Sequence, residues 1–486
     1  MTVMRPDSPS LRAALCGLTL VSLTGCLAPA LSAPPAAVPV PGQFAGRVAP
    51  SAAGDTTSTG DVRWQKFFED TALIALIDTA VHNNPELLAT LQEVEMSRYD
   101  VQAIRGRLAP QVGVAASLGL DKSGRYTSQG AGNASTEITD GRRVPEPLPD
   151  LSVGFVAGWE VDIRGRIRSQ KGAALARYLA TVEGSRYVTT SLVAEVTNTY
   201  YELTALDAKL SIVRQSIVLQ RNALQLVRVQ REAAAVSELA VQQFSALLLN
   251  AEGLEYELLQ QITAAENRLN LLLGRFPQLV VRPSTLPATV PGSVIEGVPS
   301  HLLANRPDIR QAEWQLKAAR FDVKAARAEF LPEVRLTGAL GMRAFKPSLL
   351  FSTPESITYG LAGDVLAPLL NRRTIKAEYA RANAAQVQAL LNYRRTILGG
   401  VTEVSTLMAS VDNLERLARF KALQVEALDR SVVIAGELFS SARANYLEVL
   451  TAQREALNVK LELVETRLRQ RVALTNLYRS LGGGWR

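Results

Sequence analysis

Apolar residues recur along this chain in two rhythms. From Gly165 to about Ala235, and again from about Arg372 to Arg443, no proline occurs and apolar positions step by three and four. One stripe is Leu203, Leu206, Leu210, Val213, Ile217, Leu224 and Val227; another is Val411, Leu414, Ala418, Val425, Leu428, Val432, Ala435 and Phe439. Returning segments continue the step, as in Leu447, Leu450, Leu457, Leu461, Val464 and Leu468. A sustained three–four step marks helices packed along seams of coiled-coil type. About 70 residues at 1.5 Å each make roughly 100 Å of helix, against about 12 residues for an average globular one. Gly184 and the pair Gly399-Gly400 fall inside the long patterns, either as bends or as tolerated glycines.

The second rhythm has period two. Val112, Val114, Ala116, Leu118 and Leu120 alternate with small or polar residues, and Leu151, Val153, Phe155, Ala157, Trp159 and Val161 do the same. Val334, Leu336, Leu340 and Met342 repeat the pattern later, followed by Ile357, Tyr359, Leu361 and Val365. Alternation predicts strands with one apolar face, over about 111–120, 151–163, 333–343 and 357–366. About ten residues per strand crosses a bilayer at a tilt, although a half-buried soluble sheet alternates in the same way. Four strands cannot close a barrel, since about eight is the smallest that encloses packed side chains. If these strands span a membrane, several chains share one barrel.

The order of elements occurs twice. Sliding the chain by 222 residues aligns Asn84–Gly119 with Arg306–Gly341, and ten of the 36 positions are identical. Arg98/Arg320, Asp100/Asp322, Arg105/Arg327 and Pro110/Pro332 are among them. Each half places a helix, two alternating segments and a very long helical pattern in sequence, and closes on Leu273-Gly274 or Leu481-Gly482. A tandem duplication accounts for this order.

Composition removes most alternatives. Of 486 residues, 47% are apolar and 6% aromatic, and the only histidines are His82 and His301. No nucleophile or acid stands at motif spacing to either, so no catalytic site, metal site or cofactor is predicted. The net charge of +7 has no dense basic block and no interleaved aromatics, which argues against nucleic acid. At the N-terminus, Arg5 and Arg12 precede an apolar stretch, Ala13 to Leu23, too short to span a bilayer as a helix. Leu23-Thr24-Gly25-Cys26 resembles the bacterial lipobox, which implies a lipid thioether on Cys26 after removal of residues 1–25. Leu27 and Ala28 follow, without the Asp that retains such proteins in the inner membrane, which favours the outer one. Residues 26–61 read as an Ala/Pro-rich tether.

Five stretches carry a resemblance over nearly the whole mature chain: Trp64-Gln65-Lys66-Phe67-Phe68; Asn84-Pro85-Glu86-Leu87; Trp159-Glu160-Val161-Asp162-Ile163-Arg164-Gly165-Arg166; Arg306-Pro307-Asp308-Ile309; and Tyr446-Leu447-Glu448-Val449-Leu450-Thr451-Ala452-Gln453. In this order, and behind a lipobox, they resemble the TolC family of outer-membrane channels, in its OprM-like lipoprotein branch. The resemblance implies a mainly α, internally duplicated fold. Residues 62–274 form the first repeat with long helices about 165–235 and 238–274. Residues 275–298 form an equatorial linker, and 299–486 the second repeat with long helices about 372–443 and 446–481. It implies a homotrimer in which three chains contribute four strands each to a twelve-stranded β-barrel in outer-membrane lipid, above a periplasmic coiled-coil barrel. A periplasmic adaptor (membrane fusion) protein and an inner-membrane RND-type transporter complete the pump, and the channel itself does no chemistry.

Two sites follow from the resemblance. Glu448 matches a ring acid of the periplasmic aperture, Thr451 stands where many relatives carry Asp, and Glu238 lies near the corresponding place, Ala240, of the first hairpin. An ordinary solvated helix residue is the other reading of Glu448. The hairpin tips, with Ala235, Ser237, Arg443 and Asn445, match the surface that meets the adaptor, although relatives often have Gly at the turn. Export of small molecules is the expected function. A channel for type I protein secretion and a periplasmic coiled-coil scaffold lipoprotein are the alternatives.

Overall fold

The computed structural model describes residues 59–283, 299–368, 372–441 and 443–486. The expected signal peptide, Cys26, most of the tether and part of the 275–298 linker lie outside the described residues. Helices α1 (Thr71–Asn83) and α2 (Pro85–Gly106) lead into strands β1 (Gln111–Asp121) and β2 (Leu148–Val161). Helices α3 (Arg166–Glu232) and α4 (Glu238–Leu272) follow. The order then recurs as α5 (Pro307–Ala328), β3 (Glu333–Ala344), β4 (Ile357–Leu366), α6 (Arg372–Ser440) and α7 (Tyr446–Ser480). Two compact units result, one from Met96–Tyr178 with Trp314–Leu390, the other from the flanking segments. Neither unit coincides with one repeat, because each draws on both halves of the chain. No described helix is long and apolar enough to cross a membrane.

The first unit is built on an antiparallel sheet in the order β1-β2-β3-β4. Its register decides what the alternation means. Val114 lies opposite Phe155, Phe155 opposite Leu340, and Leu340 opposite Tyr359. The next row is Ala115, Gly154, Gly341 and Thr358. Successive residues point to opposite faces, so every apolar set falls on one face and the small and polar sets on the other. Val114, Leu118, Tyr359 and Leu361 on the apolar face are 70% to 85% exposed. Gly154 and Gly341 sit so close that a Cβ on either would strike the other's backbone. β2 starts three residues before the expected strand, because Leu148 and Pro149 pair with Asp121 and Leu120.

The Trp159–Arg166 stretch turns strand into helix. Trp159 Nε1 donates to Leu108 O at 3.0 Å. Both Arg164 and Arg166 pair with Glu160, and Arg164 also donates to Leu331 O and Glu333, at 2.8 Å each. Gly165, at φ +73°, takes the left-handed turn that a side chain disfavours. The Asp162 carboxylate then accepts the orphan N–H groups of Ile167 and Arg168, at 3.0 and 2.9 Å, so that α3 begins with its donors satisfied. Burial by itself would raise the Asp162 pKa, but those backbone donors and the Arg168 guanidinium outweigh it and hold the group below the usual range.

The second unit holds the helical hairpins. The Leu203–Val227 stripe of α3 is buried throughout and packs with Ala240, Val241, Phe244 and Leu248 of α4. Each such side chain removed from water is worth roughly 1.5–3 kcal/mol. The equivalent stripe of α6, 208 residues later, is only half-buried except at Phe439. Apolar neighbours on α6, among them Leu417, Phe420, Leu423 and Ile434, are exposed.

Both repeats lock the end of the returning helix onto the junction before a proline. Asn84 Nδ2 donates to Leu272 O at 2.9 Å, and Arg306 Nη1 donates to Ser480 O at the same distance. Gly274 and Gly482, at φ +66° and +94°, lie where a Cβ would collide with the backbone of Asn83 or Asn305. Arg306 is further held by Asp308 at 2.7 Å and Glu403 at 2.9 Å. Gly400 admits that guanidinium and Gly184 admits the Gln311 amide, so both stand at close approaches, whereas Gly399 has open space where a side chain would be. The Phe67 and Phe68 rings pack on Tyr478, Phe67 stacked at 4.1 Å, and the Tyr478 hydroxyl donates to Val62 O. This ties the start of the described chain to its last helix.

Candidate functional site: the two hairpin tips

At the first tip, α3 closes in a Schellman arrangement. The Ala235 N–H donates to Gln230 O and the Ala234 N–H to Arg231 O, both at 2.9 Å. The residue in left-handed backbone is Ala234, at φ 60°, one before the Ala235 singled out from sequence. Within the run Ala233-Ala234-Ala235 no residue type distinguishes that position, and only the helix end reveals it. The second tip makes the corresponding closure 208 residues on, with the Arg443 N–H donating to Leu438 O at 2.8 Å.

Ser237 and Asn445 then cap the returning helices in extended backbone. Asn445 Oδ1 accepts the Leu447 N–H at 3.3 Å, whereas the Ser237 side chain makes no capping bond. Both tips therefore satisfy most helix-end groups internally and leave a polar, exposed rim. Exposed Leu239 and Leu447 stand on the first turns of α4 and α7.

The carboxylates divide between two situations. Glu238 faces Arg231 across the first turn at 3.6 Å and accepts from Gln242 Nε2 at 2.9 Å. Arg231 is a partner that sequence reading missed, and its only signal is a seven-residue spacing across a turn. Glu448 is exposed in the first turn of α7, with no side-chain hydrogen bond or ion pair among the described residues. Thr451, one turn on, is exposed on the same face. Ala240, the counterpart of Glu448, is fully buried, and an acid there would lose its hydration inside a packed seam. The structure thus brings Glu448 and Thr451 together and leaves Glu238 in its own ion pair on the other hairpin.

Behind the tips, ion pairs bind each hairpin's two helices. Arg221 meets Glu252 at 2.9 Å between α3 and α4, and Asp429 meets Lys460 at 2.6 Å between α6 and α7. These pairs occupy equivalent positions with their charges reversed. Each favours its own hairpin partner over the equivalent helix of the other repeat, where like charges would face each other. His82 bonds to the Asp78 carbonyl of its own helix at 2.8 Å. No group of three His, Cys, Asp or Glu suited to a metal occurs among the described residues.

The "Outer membrane efflux protein" family profile matches residues 76–275 and 298–483. The chain is 30% identical to the outer membrane protein OprJ of Pseudomonas aeruginosa, over 99% of this chain and 97% of that one. It is also 30% identical to the toluene efflux pump outer membrane protein TtgI of Pseudomonas putida, over 96% and 97%. A crystal structure of a membrane protein from Pseudomonas aeruginosa superposes with a TM-score of 0.80 at 28% identity, covering 94% of this chain and 98% of that one. With both repeats matched, the sheet and the long hairpins in place, the chain belongs to the outer membrane efflux protein family, the TolC-type channels that form the outer-membrane component of efflux pumps.

Proposed function

We propose that three copies of this chain form one passive conduit that exports small molecules across the outer membrane. The observation that carries this reading is the sheet. One of its faces is apolar and exposed, the other is lined by small and polar residues, and β1 and β4 each have one unpaired edge. Such a sheet is stable in lipid only when its edges are closed by other strands. Three copies supply twelve strands, enough to enclose a lumen. The exposed apolar residues of α6 support the same assembly, since a seam left half-covered in one chain is covered by a neighbour. An RND-type transporter supplies the energy, and a periplasmic adaptor meets the tips around Ala235, Ser237, Arg443 and Asn445. Cys26 carries the lipid anchor. The protein is a channel and not an enzyme.

Glu448 is the gate residue of this proposal. Threefold repetition of an exposed carboxylate without an internal partner makes a ring of like charge, which favours cations in a narrow pore. Single-channel conductance in planar bilayers tests both levels. Uniform steps with a cation preference that falls in Glu448→Ala support the conduit and its gate. Steps indifferent to the substitution remove Glu448 from the gate. A protein that stays silent even after its tips are deleted is a scaffold.

A further inference from the structure

The N-terminus of α6 is built against local electrostatics. Its first five residues include Arg372, Arg373 and Lys376, with no acid in the first turn. Cations there oppose the positive end of the helix dipole, and Arg372 and Lys376 are a like-charge pair one turn apart. Arg373 and Lys376 are exposed, and none of the three has an ion pair or side-chain hydrogen bond among the described residues. Glu378, the nearest acid on the helix, stands at a three- or four-residue spacing from none of the three cations.

The first repeat solves the same problem internally. Arg166 and Arg168 also open a long helix, but Glu160 and Asp162 hold them at 2.6 and 3.2 Å. Arg105 and Arg327, identical in the two repeats, add exposed cations in the last turns of α2 and α5, without ion pairs among the described residues. A local charge rule broken in this way is expected at a functional site, and an anion supplied from outside the chain would offset the charge.

The position of the triad identifies that anion. β4 ends at Leu366, and only five residues, 367–371, separate it from Arg372. At most about 20 Å of chain therefore lies between the apolar face and the first cation. Headgroups extend several ångströms beyond the hydrocarbon, and long basic side chains reach along apolar surface toward them. We infer that Arg372, Arg373 and Lys376 form a docking surface for the phosphates of anionic phospholipids in the leaflet on the helix side of the sheet. This rests on the reading of the sheet as membrane-spanning.

The test uses the full mature protein in detergent, with labelled phosphatidylglycerol competing against phosphatidylethanolamine. Each cation near an anionic surface is worth roughly a fivefold change in affinity. Arg372→Gln with Arg373→Gln and Lys376→Gln is expected to lower the preference for phosphatidylglycerol at least tenfold. A control removing the same charge from exposed positions far along the helices, Arg228→Gln with Arg416→Gln and Arg419→Gln, is expected to leave it unchanged. Arg373→Gln alone, which spares the fold, is expected to give about a fivefold loss. Equal preference in the triad and control variants overturns the inference. Conductance is recorded in parallel. Wild-type steps with no lipid effect sink the headgroup surface and keep the barrel, whereas failure of every form to insert sinks the barrel reading itself.

Discussion

The turn at the first tip offers a sharp test, because two adjacent alanines should respond to glycine in opposite directions. Ala234 sits at φ 60°, where a Cβ crowds the following carbonyl and costs roughly 1–2 kcal/mol. Glycine removes that penalty but adds about 0.5–1 kcal/mol of freedom to the unfolded chain. Ala234→Gly should therefore stabilise the tip by about 0.5–1 kcal/mol, roughly a two- to fivefold change in local opening. Ala233 is the residue just past α3, and its N–H still continues the helical ladder to Val229 O at 3.1 Å. There, with no left-handed backbone to relieve, glycine brings only its entropic cost, roughly 0.5–1 kcal/mol. Hydrogen exchange of the Ala235 amide reports directly, since that N–H closes the turn on Gln230 O. It should slow in Ala234→Gly and quicken in Ala233→Gly. Faster exchange in Ala234→Gly, or the same sign in both, would refute the assignment of the left-handed position.

Two further outcomes follow from buried charge. Arg306→Asn keeps a side chain like that of Asn84 but leaves Asp308 and Glu403 short of a cation, at a cost of about 3 kcal/mol. Denaturant unfolding of the solubilised protein should show that loss and a partial recovery when Glu403→Gln is added; strictly additive costs would mean that the two do not interact. Asp162→Ala should cost about 1–2 kcal/mol at neutral pH by freeing the N–H groups of Ile167 and Arg168. Because the folded Asp162 pKa is depressed, its stabilisation is complete above the unfolded value of about 3.9 and fades as pH falls through the lower folded value. The gap between wild type and Asp162→Ala should be flat above about pH 5 and narrow in strong acid; a gap that persists there contradicts the capping account.

The candidate site was reached through the family resemblance of the Tyr446–Gln453 stretch, and the fold places Glu448, Asn445 and Ser237 at helix starts. The left-handed residue could not be read in the same way, since an alanine run carries no mark of where a helix stops. Arg231 was equally silent, because its partner Glu238 lies across a turn whose geometry has to be known first. The long-helix patterns were silent on what surrounds their glycines for a related reason. Pattern alone cannot separate a bend from a contact, and the contacts of Gly184 and Gly400 come from Gln311 and Arg306, far along the chain.

The residue pattern by itself determined the elements, because period two and a three–four step are properties of one chain segment and need no partner. Tertiary structure decided what those elements are worth. It set the register that places Val114, Phe155, Leu340 and Tyr359 in one row, which no single strand encodes. It also buried the Leu203–Val227 stripe and left the equivalent Val411–Ala435 stripe half-covered, although the two read alike as sequence. An apolar face states that something must cover it, and only the fold and the neighbouring copies determine what does.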